Sequence, residues 1–117
     1  MKVYVDANPS ELACVPEEGI PYHQVLHSIW QFGKTNNEAE YLAVLAALEE
    51  LPKYQKNPLV ITEILSDSQL VVNQLNHKYH IKESRLRELA MRVWQISGNV
   101  KFTWIPREKN LAGKLLG

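Results

Sequence analysis

Three acidic residues occupy positions from which they could act together on one ligand. Asp6 lies in or at the end of the apolar segment KVYVDA, Asp67 directly follows the apolar run PLVITEILS, and Glu40 stands in the first turn of the helical segment TNNEAEYLAVLAALEE. Carboxylate oxygens are hard ligands that suit Mg²⁺, which takes one or two carboxylates and keeps several waters. Two such ions about 4 Å apart stabilise both the attacking and the leaving oxygen in phosphodiester hydrolysis. These residue types are therefore candidates for metal-dependent chemistry on phosphodiesters.

Each acid also has a purely structural interpretation. Asn37-x-x-Glu40 fits a capping box, in which the glutamate reaches back to the amide of the cap residue. Acids in a first turn also suit the helix dipole, and Asp67 could simply cap the helix that follows it. Asp6 is harder to explain in this way, because aspartate is depleted in strands and costly to bury without a partner. Spacing alone leaves both interpretations open.

The elements that must position these acids follow from hydrophobic patterning. Three strands are predicted at the start of the chain, in the segments KVYVDA (residues 2–7), ELACVP and YHQVLHSIWQF. The segment NEAEYLAVLAALEEL has apolar residues at the spacing of one helical face, and Pro52 ends it. The continuous apolar run PLVITEILS predicts a central strand that is covered on both faces. The remaining elements are two helices, a fifth strand and a short last helix, in the segments DSQLVVNQLN, ESRLRELAMRVWQI, VKFTWI and EKNLAGKLL.

The resulting order, βββαβααβα, predicts an α/β fold with a mixed sheet flanked by helices. In open α/β sheets, ligands bind beyond the carboxyl ends of the strands. Acids that end or follow strands, such as Asp6 and Asp67, are therefore candidates for one shared site. With 117 residues, no repeat and no linker, the sequence predicts a single domain over residues 1–117.

Composition limits the class of protein. The hydrophobic share of 45% and the charged share of 22% are ordinary for a globular protein. No secretory signal follows Lys2, and no apolar segment approaches the roughly 20 residues needed to span a bilayer. One cysteine, Cys14, cannot form an internal disulfide and fits a reducing compartment. We therefore expect a cytoplasmic protein without a membrane partner, and no obligate protein partner is evident.

The net charge of zero conceals an asymmetry along the chain. Residues 1–67 carry four lysines and ten acids, a net of −6, whereas residues 68–117 carry five lysines, four arginines and three acids, a net of +6. Such asymmetry gives one molecule an acidic pocket and a basic flank, which suits a polyanion held next to bound cations. Unevenly distributed solvated faces would give the same counts, so charge alone does not decide.

Four segments carry a resemblance to a known family. VYVDA, KTNNEAEYLAVLAALE, SDSQLVVNQLN and WIPREKNLAGKL occur in the order and spacing found in type 1 ribonuclease H. The chain resembles that family along nearly its whole length, and most closely the compact variety of archaea and many bacteria. The resemblance implies an RNase H-like fold, a five-stranded mixed sheet flanked by helices. It also implies endonucleolytic cleavage of the RNA strand of an RNA/DNA hybrid by a water nucleophile, with Mg²⁺ or Mn²⁺ as cofactor and two ions bound together with substrate.

Matched residue by residue, the resemblance assigns the catalytic and metal-binding carboxylates to Asp6, Glu40 and Asp67. Glu40 thus looks like a metal ligand, and Glu38, two residues earlier in the same helix, is expected to face solvent. The matching also assigns substrate contacts. Asn36, Asn37 and Gln69 match family residues that contact the minor groove of the hybrid. Thr35, Arg107 and Asn110 match family residues that lie near the nucleic-acid backbone.

The chemistry of these side chains suits the assignment. Amides both donate and accept hydrogen bonds, as the 2′-OH of RNA does. The guanidinium of Arg107 offers a fork for phosphate. A surface arginine that merely follows a turn-forming proline is an equally good interpretation of Arg107.

The chain departs from the family at the fourth carboxylate. The family segment N-x-x-A-D, which opens the last helix, is replaced here by NLAGKLLG, and the resemblance assigns the aspartate position to Gly113, one residue closer to the asparagine than in the family segment. Glycine supplies no ligand, Lys114 beside it cannot bind a cation, and the terminal carboxylate of Gly117 is a disfavoured replacement. The first loop also lacks the family's glycines, and Trp104 and Ile105 precede PREKN where many members have a histidine.

Three functions remain in competition. The first is a metal-dependent ribonuclease H whose rate is reduced by the missing carboxylate. The second is a module that keeps the fold and the hybrid-binding groove but has lost turnover. The third is a DNA exonuclease or junction resolvase of the same fold group. It is disfavoured because TNN and SDSQ are segments typical of proteins that recognise RNA/DNA hybrids. The three retained acids favour the enzyme, since a pure binding module has no evident need for converging carboxylates.

Overall fold

A five-stranded mixed sheet forms the centre of the fold in the computed structural model, which describes residues 1–26 and 36–116. The strand order is β3-β2-β1-β4-β5; β1 pairs antiparallel with β2, as β2 does with β3, whereas β4 runs parallel to both β1 and β5. The strands are β1 (Lys2–Asn8), β2 (Glu11–Pro16), β3 (Tyr22–Val25), β4 (Glu63–Ser66) and β5 (Lys101–Trp104). The predicted α/β class and five-stranded mixed sheet are confirmed.

The helices are α1 (Asn36–Glu49), α2 (Gln69–Leu75) and α3 (Ser84–Ser97), and the described residues also include 3₁₀ helices over Leu51–Tyr54, Arg107–Lys109 and Leu111–Leu115. α1 packs against β1, β2 and α3, and it is buried on most of its circumference rather than on one face. Small residues make this possible, since Ala39, Ala43, Ala46 and Ala47 are all buried. A helix that is apolar on all sides belongs in a core. α1 is therefore the helix best held against the sheet.

β4 is central, as predicted, but it is shorter than the apolar run that predicted it. The strand covers Glu63–Ser66 instead of residues 58–66, because its neighbours β1 and β5 begin at Lys2 and Lys101, both opposite Glu63. Among the described residues, no strand pairs with the segment upstream of Glu63, and Val60 is exposed. The length of a strand is set by its partners as much as by its own residues.

The last predicted helix is also different in the structure. The segment EKNLAGKLL forms two 3₁₀ helices, Arg107–Lys109 and Leu111–Leu115, on either side of Asn110. The extended backbone of Asn110, at φ −83° and ψ 106°, interrupts the helix, and its side chain caps the second piece by accepting a hydrogen bond from the amide of Ala112. Asparagine favours this cap position because its side chain replaces a missing backbone acceptor.

Some predictions lie outside the described residues. The third strand, predicted to extend to residue 32, is a strand over Tyr22–Val25, and residues 27–35 are not described. Thr35 and Gly117 also lie outside the described part of the chain. Among the described residues, none of the helices has the length and apolar character needed to cross a membrane.

Candidate metal centre

Three carboxylates from three different elements converge at one edge of the sheet. Asp6, Glu40 and Asp67 each place an oxygen within 4.8 Å of the oxygens of the other two. Val5 lies opposite Ser66, the last residue of β4, so Asp6 of β1 and Asp67, which follows β4, are neighbours at the point where β4 ends. α1 brings Glu40 to this edge because it packs directly on β1. The structure thus brings together the three acids that the sequence predicted.

A single backbone amide serves two of these acids. The N–H of Ala7 donates to Oδ1 of Asp6 and to Oε1 of Glu40, each at 2.9 Å. Asp6 is 6% exposed and Glu40 is 7% exposed, and Oε2 of Glu40 has no hydrogen-bond partner among the described residues. Buried carboxylates without enough donors are satisfied by a proton or by a cation. The donor set therefore fits a divalent metal ion.

Burial controls the protonation of the cluster. It raises the pKa of Glu40 from 4.5 to about 9, and the negative charge of Asp6 adds to the effect. Burial also raises the pKa of Asp67, again with help from Asp6, while the hydrogen bond from Asn110 and the charge of Arg107 act in the opposite direction. Burial and the neighbouring charge thus favour the protonated form of Glu40 when no cation is bound. A bound cation would replace that proton, because it stabilises the charged form.

The capping interpretations of Glu40 and Asp67 are wrong. Glu40 does not close a capping box at the start of α1 but reaches across to the Ala7 amide of β1. α2 is capped by Ser68, whose Oγ accepts a hydrogen bond from the amide of Val71 at 3.2 Å, and not by Asp67. Both acids are thus available to a ligand in the cluster.

Gly113 lies at the cluster as the resemblance implied. A Cβ atom on Gly113 would stand 2.9 Å from Oδ2 of Asp6. The carboxylate of Asp6 therefore occupies the space into which a side chain at residue 113 would project. Gly113 and Asp6 also border a cleft of about 330 Å³, which Arg107 and Lys114 line as well. The position that lacks the fourth acid is inside the site.

Asn110 corrects an expectation. It was expected near the nucleic-acid backbone, yet it is 1% exposed, and its polar atoms all bond to the protein. Its Nδ2 donates to the carbonyl of Val5 at 2.9 Å and to Oδ2 of Asp67 at 3.3 Å, and its Oδ1 accepts from the amide of Ala112 at 3.1 Å. The buried side chain therefore bonds to β1 and to Asp67 inside the protein.

Glu38 also corrects an expectation. Its side chain is only 13% exposed, and it forms an ion pair with Arg85 of α3 at 3.6 Å. Glu38 therefore links α1 to α3 and does not simply face solvent. The sequence could not show this, because the partner lies on a helix 47 residues further along the chain.

The other predicted contact residues lie around the cluster. Asn36 and Gln69 are exposed in the first turns of α1 and α2, and Asn37 is half-buried. Arg107 is exposed and lines the cleft beside Asp6. Trp104 was not predicted as part of the site, but its Nε1 donates to the carbonyl of Asp67 at 3.1 Å. The cap signal of an asparagine before a helical segment was the sequence feature from which Asn110 could have been recognised as a supporting residue.

Known proteins with similar sequences and structures include ribonucleases H1. Residues 18–116 match the family described as reverse transcriptase-like. LC11-RNase H1, isolated from compost by a metagenomic approach and solved in complex with an RNA/DNA hybrid, is 30% identical, with a TM-score of 0.77 over 97% of this chain and 91% of that one. RNase H1 of Halobacterium salinarum NRC-1 is 25% identical, with a TM-score of 0.74 over 98% of this chain and 92% of that one.

A curated relative is much longer than this chain. The bifunctional protein Rv2228c of Mycobacterium tuberculosis is 32% identical over 81 residues, which cover 65% of this chain and 21% of that protein. The N-terminal RNase H domain of the same protein shares the fold, with a TM-score of 0.70 and 24% identity over 97% of this chain and 88% of that one. The chain thus spans about a fifth of this relative's length. Because the family match covers most of the sequence and the fold agrees, this chain belongs to the reverse transcriptase-like family and has the fold of type 1 ribonuclease H.

Proposed function

We propose that this protein is an endonuclease that hydrolyses the RNA strand of RNA/DNA hybrids with the help of divalent metal ions. One observation carries the proposal. Asp6 and Glu40 are almost fully buried, share one amide donor, and lie within 4.8 Å of Asp67. The hybrid bound to LC11-RNase H1, a protein 30% identical to this one, supports the choice of substrate.

In this proposal, Asp6, Glu40 and Asp67 hold Mg²⁺ or Mn²⁺, with two ions present when the substrate is bound. Such ions activate the attacking water and stabilise the leaving oxygen of the phosphodiester. Glu40 would have to be ionised to hold a cation, and its Oε2, which lacks a hydrogen-bond partner among the described residues, would be free to serve as a ligand. Three carboxylates leave two divalent ions with a net charge of +1. We therefore expect weaker metal binding and a slower reaction than a site with four carboxylates would give.

The substrate contacts belong to the same proposal. α1, which carries Glu40, begins with Asn36 and Asn37. α2, which follows Asp67, begins with Gln69. The amides of these three residues are suited to read the minor groove, where the 2′-OH distinguishes RNA from DNA. Arg107 beside the cleft is suited to bind a phosphate, and Thr35 precedes the same turn of α1 in the sequence.

The test is cleavage of a hybrid labelled on its RNA strand, in Mg²⁺ and in Mn²⁺, with duplex DNA and duplex RNA as parallel substrates. We expect cleavage of the hybrid alone. Asp67→Asn should reduce the rate by at least about 100-fold, the scale reported for losing one electrostatic contact to a transition state. The control is Glu50→Gln, which removes a partly exposed acid that forms an ion pair with Lys53. This variant should leave the rate unchanged. Full activity of Asp67→Asn would contradict the proposal.

Gly113 favours a second candidate, a module that binds hybrids without cleaving them. In that case the wild-type protein binds the hybrid in preference to duplex DNA but leaves the RNA strand intact in both metals. Cleavage by Gly113→Asp together with no cleavage by the wild type would establish this second function.

A further inference from the structure

A buried amide joins the two parts of the sheet edge that carry the aspartates. The side chain of Asn110 is 1% exposed and lies between β1 and the residue that follows β4. Its Nδ2 donates one hydrogen bond to the carbonyl of Val5, directly before Asp6, and one to Oδ2 of Asp67. No other side chain among the described residues makes hydrogen bonds to both of these groups.

The orientation of this amide is dictated by its partners. The carbonyl of Val5 and the carboxylate of Asp67 can only accept, so they must face the NH₂ group. The backbone N–H of Ala112 can only donate, so it must face Oδ1, to which it bonds at 3.1 Å. With all its donors and its acceptor used, the amide cannot rotate without losing hydrogen bonds inside the protein. It is a fixed support.

Asp67 needs such a support more than the other two acids do. Asp6 and Glu40 are buried and share the Ala7 amide, whereas Asp67 is only half-buried and stands at the end of a strand. The negative charge of Asp6 repels it. The carbonyl of Asp67 is held by Nε1 of Trp104, which fixes the backbone but leaves the carboxylate free to turn. The amide of Asn110 holds the carboxylate itself.

We infer that Asn110 is a positioning residue for the metal site: by bonding to both Val5 and Asp67, it keeps the two aspartates at a spacing that lets one cation contact both. The inference rests on the metal site of the proposed function and not on the hybrid as substrate. It matters more in this chain because Gly113 supplies no further ligand. Outer partners that orient metal ligands change metal affinity without touching the metal.

The test separates this role from capping of the terminal 3₁₀ helix. Asn110→Ser keeps a good cap residue for the Ala112 amide, but the shorter side chain cannot reach Val5 and Asp67. We expect the dissociation constant for Mn²⁺, measured by calorimetry without nucleic acid, to rise by about 10–100-fold. The Mg²⁺ concentration for half-maximal cleavage should rise in parallel. If the serine variant does not fold, Asn110→Thr, which fills more of the same space and also caps, replaces it.

Asn76→Ala is the matched control. The amide of Asn76 also donates to a strand carbonyl, that of Phe102, but it contacts none of the three acids. This variant should bind Mn²⁺ as the wild type does. A serine or threonine variant that binds Mn²⁺ with wild-type affinity, even if it melts at a lower temperature, would overturn the inference, as would a wild type that binds no Mn²⁺. A wild type that binds Mn²⁺ but leaves hybrids intact would contradict the proposed function only, and the variants would still decide the role of Asn110.

Discussion

Glu40 shares the amide of Ala7 with Asp6 in a site where both carboxylates are almost fully buried. When both are charged and no cation is bound, their repulsion acts through a medium of low polarity and raises the free energy of the folded state. Burial and this repulsion raise the pKa of Glu40 to about 9. The acidic cluster therefore lowers the stability of the protein without bound cations at neutral and alkaline pH, and a bound cation would offset that loss.

The first prediction is that the apo protein loses stability as pH rises from about 5 to about 9. The folded state keeps a proton on Glu40 that the unfolded chain releases above its ordinary pKa of 4.5. The contribution of Glu40 is thus fully present below 4.5 and is lost as pH rises through the folded-state value. The slope should reach at most about 1.4 kcal/mol per pH unit. Urea unfolding in EDTA across this pH range measures it.

Glu40→Gln should remove this pH dependence, because the neutral amide still accepts from Ala7 and has no proton to release. Glu38→Gln is the matched control two residues away. It breaks a partly exposed ion pair with Arg85, costs only about 0.2–1 kcal/mol, and should keep the wild-type slope. Equal slopes for wild type and Glu40→Gln would show that Glu40 is not the group responsible.

The second prediction concerns Gly113. Gly113→Asp should lower the Mg²⁺ concentration needed for half-maximal cleavage and increase the rate, because it adds a fourth carboxylate beside Asp6. The new Cβ would lie 2.9 Å from Oδ2 of Asp6, so the end of the Asp6 side chain must shift. This contact and the added charge should make the variant less stable than wild type in EDTA. Rate against Mg²⁺ concentration and urea unfolding measure the two effects.

Gly113→Ala separates the two causes. It introduces the same Cβ contact with Asp6 but no charge, so it should lose stability slightly without any gain in metal affinity. If all three proteins give the same Mg²⁺ dependence, residue 113 is not a ligand position in this chain.

At the scale of elements, the sequence predicts which segments form strands and helices, and long-range contacts decide where they end. The apolar run before Asp67 predicts a strand over residues 58–66, but within the described part of the chain only Glu63–Ser66 pairs with neighbouring strands. The predicted last helix is interrupted at Asn110, whose side chain donates a hydrogen bond to the carbonyl of Val5, 105 residues earlier in the chain. No local pattern contains that contact.

The same reasoning explains which site residues were predictable. Asp6, Glu40 and Asp67 were candidates because their places at a strand end and in a first helical turn are local features, and the resemblance to type 1 ribonuclease H favoured them over the capping interpretation. The ion pair of Glu38 and the burial of Asn110 were not, since both depend on partners far along the chain.

The third prediction belongs to the first turns of α1 and α2. Asn37→Ala and Gln69→Ala should each weaken binding of the hybrid several-fold in Ca²⁺, where cleavage does not interfere. The loss should shrink when the RNA strand is replaced by DNA, because the lost partner is the 2′-OH. Gln95→Ala, an exposed glutamine of α3, is the control and should bind normally. Equal losses on both duplexes would mean that these amides act on the helix ends and not on the hybrid.

At the scale of the whole molecule, the acidic first part of the sequence and the basic last part meet at one cleft. Asp6 from the first part and Arg107 and Lys114 from the last part all line it. The three acids come from β1, α1 and the end of β4, which are far apart in the chain. A cation bound by all three would therefore link the two parallel strands at the centre of the sheet to the helix that is most deeply buried.

The last prediction follows from this linkage. A ligand that binds the folded but not the unfolded chain stabilises it by about 2.7 kcal/mol at 100 times its dissociation constant. For a protein of this size, that should raise the melting temperature by roughly 10 °C. We expect Mg²⁺ or Mn²⁺ to produce this rise in the wild type at pH 8, and NaCl of equal ionic strength to produce much less. Asp67→Asn should abolish the metal-dependent part, since it removes one of three ligands while Ser68 still caps α2. A rise of the same size in Asp67→Asn would mean that the ions act elsewhere on the acidic part of the chain and that the three carboxylates do not form the metal centre.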